Sequence, residues 1–406
     1  MNMSMDNKKI LMIHHSGLIG GASMSFYYTW KALSSKYDIV AYIADDPSDF
    51  SKFLQREGLR PKLFNFRLAK ITYYSGGNRL INFKFWYHAV RIITQIKYWK
   101  LVLEKEKPDL IIVNSKVLCW MGSILKDYKS ICFVRETIMG SNKNIINKLI
   151  NKLLEKFTAV SFITDYDLKE TKLKKAYSFV TRDFMNIEKY RDKHGKIKAC
   201  NKLKVEHDKF NILFVGGINN LKGIDVALEA INLIKDTNVT LLVAGNSLDT
   251  SDNFKFSKKL MFNIKNIKTI SFQQKVYKFI KNNELENVVK FIGVHSDISI
   301  PYSACDILIL PIKKPHQARP VFEIGVQRKT VIISDFPNIH DSVKNNYNGL
   351  TFQPNNSQEL ADKILLLKNN CEFKKKLGEN NYKYAMGNHN QDLVMTKFLS
   401  EIEEMF

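Results

Sequence analysis

The sequence contains no long hydrophobic segment and no paired-cysteine motif. Across its 406 residues there is no run of about 18 apolar residues, so no transmembrane helix is predicted. The five cysteines are scattered without a C-x-x-C pair, which is typical of reduced thiols in a cytosolic protein. The first residues lack a secretory pattern, because Lys8 and Lys9 precede only a short apolar run. These absences favour a cytoplasmic protein without a membrane span.

Acidic residues are scarce relative to basic ones. The chain has 62 Lys and Arg against 40 Asp and Glu, a formal net charge of +22. Such an excess indicates an anionic partner: nucleic acid, an anionic membrane face or an anionic substrate. Nucleic acid is the least favoured, because no helix-turn-helix, zinc or RNA-binding signature occurs. The 45% hydrophobic content is typical of globular proteins, and the length suits two domains of roughly 150–200 residues.

The most informative stretch, PHQARPVFEIGVQRKTVIIS, predicts a strand–helix–strand unit. Apolar runs at 304–311 and 330–334 predict buried strands, and the composition is helical over about 320–327. Pro320 stands where proline is tolerated, in the first turn of a helix. Ligands of such units bind beyond the carboxyl ends of the strands, where amides of the first turn attract anions. Glu323 on that turn is suited to accept hydrogen bonds from a pair of sugar hydroxyls.

The segment ARPVFEIGVQRKTVIIS resembles the nucleotide-sugar signature of the retaining type-4 family of GT-B glycosyltransferases. Glu323 matches the second glutamate of that signature and Arg319 its arginine, whereas Pro315 stands where the first glutamate is expected. The resemblance implies a GT-B fold, an α/β architecture of two Rossmann-like domains that face each other across a cleft. It also implies transfer of a hexose from a nucleotide diphosphate sugar to an alcohol, with the anomeric configuration retained.

Strand and helix patterns alternate on both sides of a polar segment, which predicts two domains. The first covers 1–190 and, as the resemblance implies, is completed by a terminal helix at 391–406. The Lys-rich segment 191–208 has no apolar periodicity and is predicted to be the linker. The second domain, 209–390, is expected to bind the donor, and the first to lie on the acceptor and membrane side.

The second domain carries further matches to the family pattern. Lys222 and Gly223 match its K-G pair, although Gly217 replaces the preceding arginine, and a Lys-Gly pair before a helix is also common without this role. The resemblance implies that Lys222 and Arg319 hold the leaving diphosphate. The donor-binding residues that it implies are Gly20, Gly21, Gly216, Gly217, Lys222, Val294, His295, His316, Arg319, Val321, Phe322 and Glu323.

Some of these contacts are main-chain contacts. The backbone near Val294 and His295 is implied to hold the nucleobase. Pro320 has no N–H, so the amides of Val321 and Phe322 are expected to meet the diphosphate. His316 or Gln317 is the alternative holder of the sugar hydroxyl for which the family uses its first glutamate.

The first domain carries two weaker motifs. Gly17, Gly20 and Gly21 allow a ligand to approach the backbone closely, and their loop resembles the family's GGA loop, although a structural turn is equally compatible. Arg135 and Glu136 end a predicted strand where the family has a basic and an acidic residue near the reacting sugar. A salt-bridged strand end explains this pair equally well. We predict catalytic roles for Lys222, Arg319, Arg135 and Glu136.

Basic and aromatic residues alternate after the third predicted strand. Arg91, Lys97 and Lys100 interleave with aromatic residues that include Trp86 and Trp99. A basic amphipathic helix of this kind is typical of a membrane-surface element, to which each nearby cation adds about 1 kcal/mol. The alternative is a set of core aromatics with a solvated charged face. We predict peripheral association with the inner face of the cell membrane.

Together these features predict a metal-independent, retaining hexosyltransferase without a cofactor, because the nucleotide sugar is itself a co-substrate. The Lys-, Asn- and Ile-rich composition fits bacterial surface polysaccharide biosynthesis. One alternative is a catalytically silent GT-B protein that binds nucleotide or membrane and assists another transferase. A second is a GT-B epimerase of UDP-N-acetylhexosamine.

Overall fold

The structure is a computed structural model that describes residues 8–46, 48–66, 68–70, 83–137, 145–245, 264–315 and 319–406, with the side chains of 83–85 and 264–270 left aside. The chain divides into two compact units. Unit one comprises Met1–Met185 and Asn388–Phe406, and unit two comprises Asn186–Gly387.

Unit one is built on a parallel sheet. Its strands are β1 Lys9–His14, β2 Asp38–Ala44, β3 Lys62–Phe64, β4 Leu110–Asn114, β5 Ser130–Val134, β6 Ala159–Phe162 and β7 Tyr177–Val180. Their order is β3-β2-β1-β4-β5-β6-β7. Its helices are α1 Gly21–Leu33, α2 Asp49–Arg56, α3 Phe83–Glu106, a 3₁₀ helix Lys116–Ser123, α4 Ile145–Leu154, α5 Asp165–Thr171 and the C-terminal helix Gln391–Glu403.

Both faces of this sheet are buried, which explains its continuously apolar strands. Along β1, Leu11 and Ile13 pack into a core that includes residues of α3 and α4. The alternate residues Ile10 and Met12 pack into a second core with residues of α1, α2 and the C-terminal helix. Helices on both faces are the usual cover of parallel sheets, so polar side chains are left to the strand ends.

Unit two repeats this plan. Its strands are β8 Phe210–Val215, β9 Val239–Ala244, β10 Val289–Gly293, β11 Ile307–Leu310, β12 Val331–Ser334 and β13 Leu350–Phe352, in the order β10-β9-β8-β11-β12-β13. Its helices are α6 Lys196–Leu203, α7 Ile224–Ile234, α8 Ile264–Asn282, α9 Ser299–Ala304, α10 Pro320–Gly325, α11 Ser357–Asn369 and α12 Cys371–His389; the C-terminal helix is α13. Among the residues described, no helix combines the length and apolar character needed to cross a bilayer.

Each sheet has a topological switch point, where the winding of the chain reverses. In unit one it lies between the neighbouring strands β1 and β4, and in unit two between β8 and β11. Loops that follow two such strands leave towards opposite faces of the sheet and open a crevice at the carboxyl edge. The predicted α/β architecture of two Rossmann-like domains is confirmed, and the switch points mark where each is suited to bind a ligand.

The segment 191–208, predicted as a linker, forms part of unit two. It contains α6, in which Ala199 and Cys200 are buried. Lys196 at the start of this helix forms an ion pair with Asp306, with a distance of 2.7 Å between Nζ and Oδ2. Because the buried positions of α6 are adjacent rather than three or four apart, the sequence shows no period that predicts this helix.

Gly223 closes the turn between β8 and α7. It follows the 3₁₀ helix Asn220–Lys222 and adopts φ +78° as the N-cap residue of α7. A Cβ atom at this position would lie 1.8 Å from the carbonyl oxygen of Pro311. Both the backbone conformation and the close contact therefore require glycine, and they fix the position of Lys222 directly before the helix.

We expect Gly223→Ala to lower the free energy of unfolding by more than the about 1–2 kcal/mol that a left-handed conformation costs, because it adds a backbone clash. Gly293→Ala is the matched control, since φ is +77° there and no atom of the described part of the chain lies within 4 Å of the Cβ position. Denaturant unfolding of the two variants measures the difference. Equal losses at the two positions would contradict the clash.

Candidate functional site

Glu323 lies in the first turn of α10, which follows β11 at the switch point of unit two. Pro320 opens this helix, as predicted. The Glu323 side chain is largely buried, and its Oε2 accepts a hydrogen bond from the Tyr302 hydroxyl at 2.8 Å. Its Oε1 lies 3.3 Å from Arg319 Nε. The sequence did not indicate Tyr302, because a contact between residues 21 positions apart leaves no periodic signal.

The amides at the start of α10 are partly engaged within the helix. The N–H groups of Phe322 and Glu323 both donate to the Arg319 carbonyl at 3.2 Å. Arg319 itself has helical dihedral angles, φ −46° and ψ −40°, so the hydrogen-bonded turn begins one residue before Pro320. The Phe322 amide is thus engaged within the helix in this conformation. Contact of the Val321 and Phe322 amides with the diphosphate stays a prediction.

Lys222 follows β8, the hydrogen-bonded neighbour of β11. Its stem packs against Gly216, where a Cβ atom would lie 2.8 Å from Lys222 Cγ. Burial lowers the pKa of Lys222, because desolvation disfavours the ammonium form. The turn before it is fastened by Lys313, whose Nζ lies 3.1 Å from Asn220 Oδ1 and also pairs with Asp225. A partly desolvated cation therefore stands one strand away from the Glu323 carboxylate along the same sheet edge.

Gly216 and Gly217 leave β8 with φ values of +148° and +59°. Their N–H groups both donate to the Ala244 carbonyl at 2.9 Å, so these amides are engaged at the sheet edge. At the end of β9, Gly245 has φ +126°, and a Cβ atom there would lie 2.5 Å from Gly217 N. In this conformation both amides are engaged and the Lys222 side chain fills the space beside Gly216, so the predicted donor contacts of Gly216 and Gly217 stay predictions.

Val294 and His295 follow β10, two strands away from β8. The Val294 side chain is 72% exposed, and His295 Nε2 lies 2.7 Å from the Ile292 carbonyl oxygen. The His295 ring is thus hydrogen-bonded to the backbone of its own loop. The main-chain contacts of Val294 and His295 to a nucleobase stay a prediction. His316, predicted to hold a sugar hydroxyl, lies outside the described residues.

A buried polar network lies at the switch point of unit one. His14 Nε2 is 3.1 Å from Ser23 Oγ, and His14 Nδ1 is 2.9 Å from Asn114 Nδ2. His15 Nδ1 is 3.2 Å from the Asn114 carbonyl oxygen. Burial lowers the pKa of His14 well below its usual value, and burial together with the Lys70 charge lowers the pKa of His15 to about 3. Both imidazoles are therefore neutral at neutral pH.

Arg135, predicted to be catalytic, is bonded inside this network. Its Nε lies 3.1 Å from Asn114 Oδ1, and its Nη1 lies 3.1 Å from Asp183 Oδ1. The same Asp183 oxygen accepts a hydrogen bond from Ser25 Oγ at 3.0 Å. The guanidinium also stands 4.2 Å from the centre of the Phe133 ring. Asp183 fixes the direction of the Arg135 guanidinium. No motif of the sequence indicated Asp183.

Glu136 has a separate set of contacts. Its Oε1 accepts from Ser115 Oγ at 2.5 Å and its Oε2 from the Lys116 amide at 3.3 Å. Lys116 Nζ donates to the carbonyls of Glu136 and Thr137 at 3.2 and 2.9 Å. These bonds stabilise Ser115 at φ +121°, which is unfavourable for a non-glycine residue. Burial raises the pKa of Glu136 and lowers that of Lys116. The contacts match the alternative of a bonded strand end, and catalytic roles for Arg135 and Glu136 stay predictions.

The glycine-rich loop after β1 is open. Gly20 is the extended N-cap residue of α1, and Gly21 is the first residue of the helix. Among the residues that the structure describes, no atom lies within 4 Å of the Cβ position of Gly20, and the neighbouring Leu18 and Ile19 are more than half exposed. The loop thus leaves room for a ligand beside Gly20 and Gly21, whose contact with the donor stays a prediction.

Because unit one holds both imidazoles neutral, we expect it to lose stability as the pH falls from about 6.5 towards 3. In that window the unfolded chain binds a proton on His15 and the folded chain does not, so acidification favours unfolding, by at most about 1.4 kcal/mol per pH unit and histidine. Urea unfolding at pH 7, 6 and 5 measures this dependence.

The variant His15→Asn keeps an amide donor near the Nδ1 position and should flatten the pH dependence of unfolding. The control His207→Asn replaces an exposed histidine of unit two and should leave it unchanged. A wild-type slope in His15→Asn would show that this imidazole is not the group that titrates on unfolding.

Part of the chain is similar to a known family of proteins. Residues 196–384 match the model described as Glycosyl transferases group 1. An uncharacterized glycosyltransferase of Methanocaldococcus jannaschii is 27% identical over 175 residues, which are 43% of this chain and 42% of that protein. The N,N'-diacetylbacillosaminyl-diphospho-undecaprenol alpha-1,3-N-acetylgalactosaminyltransferase of Campylobacter jejuni is 27% identical over 111 residues, 27% of this chain and 29% of that protein. The alignments thus span less than half the length of these relatives.

Solved structures resemble the chain over almost its whole length. HepE of Anabaena in complex with UDP has a TM-score of 0.78 at 17% identity, with 98% of this chain and 100% of that chain covered. At this level of identity the likeness shows the fold alone. The two parallel Rossmann-like sheets thus form the GT-B fold, and residues 196–384 match the glycosyl transferases group 1 model.

Proposed function

We propose that the protein is a retaining glycosyltransferase that moves a hexose from a nucleotide diphosphate sugar to a hydroxyl of a glycan or lipid-linked acceptor. The observation that carries this proposal is the position and bonding of Glu323. This residue lies in the first turn of α10, the helix that follows β11, and its carboxylate contacts Arg319 and Tyr302. The residue lies within the segment that matches glycosyl transferases group 1. Nucleotides bind such sheets beyond the strands that meet at the switch point.

The donor is proposed to bind the groups that follow β8 and β11. Glu323 accepts the ribose hydroxyls, since a carboxylate has about four acceptor positions and keeps capacity beside Tyr302 and Arg319. Lys222 and Arg319 supply positive charge to the departing diphosphate. Burial disfavours the ammonium form of Lys222, and the negative charge of a bound diphosphate favours it. As the bond between sugar and phosphate breaks, charge grows on the diphosphate oxygens, so these cations stabilise the transition state most.

Unit one is proposed to serve the acceptor. Arg135 is held in one direction by Asn114 and Asp183, which suits a cation near a reacting sugar. Because the configuration is retained, the acceptor oxygen replaces the diphosphate on the same face of the anomeric carbon. Neither metal nor cofactor is part of this proposal, in which Lys222 and Arg319 provide the charge.

The printed names of similar proteins guide the choice of substrates. HepE has been solved with UDP and with UDP-glucose, which supports a UDP-hexose as the first donor to test. The name of the Campylobacter jejuni relative specifies a diphospho-undecaprenol acceptor, which supports a lipid-linked acceptor and a role in bacterial surface polysaccharide assembly.

A membrane-bound acceptor also suits the outer face of α3. Trp86, Val90, Ile93 and Leu101 are each more than half exposed, and their spacing of three, four or eight residues puts them on one helix face. Lys97 is exposed on that face, while the opposite face is buried through Trp99, Val102 and Leu103. Apolar side chains beside cations favour anionic lipid. We therefore propose peripheral membrane binding through α3.

We expect Glu323→Ala and Lys222→Ala each to abolish sugar transfer, with losses of about a hundredfold or more, while the protein stays folded. The controls Glu286→Ala and Lys209→Ala remove the same charges just before β10 and β8, at the amino edge of the same sheet. A thermal-shift screen with UDP-, GDP-, ADP- and dTDP-sugars selects the donor, and release of the nucleoside diphosphate reports turnover. Full activity in either site variant would refute the proposed donor site.

The same assay separates an enzyme from a silent GT-B protein. If the wild-type protein binds a nucleotide but never releases nucleoside diphosphate from any donor, with or without a lipid-linked acceptor, the silent alternative is correct. Conversion of UDP-N-acetylglucosamine into its epimer without transfer would favour the epimerase.

We expect the double variant Trp86→Ser/Ile93→Ser to sediment with phosphatidylglycerol vesicles at least about tenfold less than the wild type, because each buried apolar side chain contributes about 1.5–3 kcal/mol. Leu233→Ser is the control, since this residue of α7 in unit two is also about half exposed. Binding to phosphatidylcholine vesicles should be weak, since the cations on α3 then have no anionic partner. Wild-type binding by the double variant would contradict a role for this face.

A further inference from the structure

Tyr302 contacts the presumed ribose ligand Glu323 but belongs to no motif of the sequence. It is fully buried in α9, and its hydroxyl donates to Glu323 Oε2 at 2.8 Å. Burial, and secondarily the Glu323 charge, raise the pKa of Tyr302 well above its usual value. The hydroxyl therefore stays protonated and acts as a donor throughout the physiological range.

The helix that carries Tyr302 is held at its C-terminal end. Lys329 Nζ lies 2.5, 2.8 and 2.7 Å from the carbonyl oxygens of Tyr302, Ser303 and Cys305. An ammonium in this place satisfies carbonyls that the helix leaves without internal partners. Since Lys329 leads directly into β12, the Tyr302 backbone is tied to the central sheet.

The helix that carries Glu323 is held separately. Asn381 of α12 is fully buried, and its Nδ2 donates to the carbonyls of Val321 at 3.0 Å and Lys329 at 2.9 Å. Gly325 packs so closely on α12 that a Cβ atom would lie 2.9 Å from the Asn381 carbonyl oxygen. Both ends of the Tyr302–Glu323 hydrogen bond thus sit on elements whose backbones are fixed.

We propose that Tyr302 is a positioning residue, which occupies Oε2 of Glu323 and turns the remaining acceptor positions of the carboxylate towards the nucleotide ribose. The proposal rests on the proposed function, in which Glu323 binds that ribose. The last torsion of a glutamate is broad, so a carboxylate without this partner rotates more freely.

The test is Tyr302→Phe, which removes only the hydroxyl. We expect the Kd for UDP, measured by calorimetry at pH 7.5, to rise about five- to tenfold, the size of one lost hydrogen bond. If Tyr302 acts through Glu323, this loss of affinity requires the Glu323 carboxylate, whereas a purely structural role of Tyr302 predicts the same loss without it.

A matched control exists in unit one, where the buried Tyr42 hydroxyl donates to the buried Glu106 Oε1 at 2.9 Å. Tyr42→Phe should lower stability to a similar extent and leave the Kd for UDP unchanged. A double-mutant cycle adds a second readout: in a Glu323→Ala background, Tyr302→Phe should cause no further loss of affinity, because the group that it positions is absent.

Wild-type affinity for UDP in Tyr302→Phe would overturn the proposal, as would an undiminished effect of Tyr302→Phe in the Glu323→Ala background. If the wild-type protein binds none of the four nucleoside diphosphates, the proposed function fails first and the role of Tyr302 falls with it.

Discussion

A carboxylate withdrawn from water must be met by hydrogen-bond donors, and the Glu323 side chain imposes this requirement on unit two. Tyr302 and Arg319 provide the donors from two helices, one on each side of β11 in the sequence. The supports of these helices, Lys329 and Asn381, are themselves bonded to main-chain carbonyls. The Glu323 carboxylate is thus held in place relative to the sheet by a series of hydrogen bonds, in addition to apolar packing.

The two switch points use polar residues differently. In unit one, Arg135 meets Asn114 and Asp183, so that its charge is balanced within the unit. In unit two, Lys222 is partly desolvated beside the glycines that end β8, and burial lowers its pKa. Burial thus acts on the charge of Lys222, whereas hydrogen bonds and an ion pair fix the direction of Arg135. In the proposed function the first residue meets the diphosphate of the donor and the second lies on the acceptor side.

The strands and the first turn of α10 could be predicted from the sequence because apolar runs and Pro320 act locally. Glu323, Arg319 and Lys222 could be indicated because they stand at fixed positions in one short pattern. The partners of these residues could not be predicted, since Tyr302 and Asp183 reach their partners across 21 and 48 positions of sequence. The engagement of the Phe322 amide depends on Arg319 being helical, which a residue before proline is not expected to be.

The glycines at the ends of β8 and β9 also bear on how this site can evolve. Gly217 occupies the place of an arginine in the family pattern, and at φ +59° any other residue costs about 1–2 kcal/mol. A side chain at position 245 would clash with the amide nitrogen of Gly217, which lies 2.5 Å from the Cβ position of Gly245. An arginine at position 217 alone is therefore unfavourable in this backbone, and glycine is required at position 245 as well. A larger residue at either position requires both turns to change together.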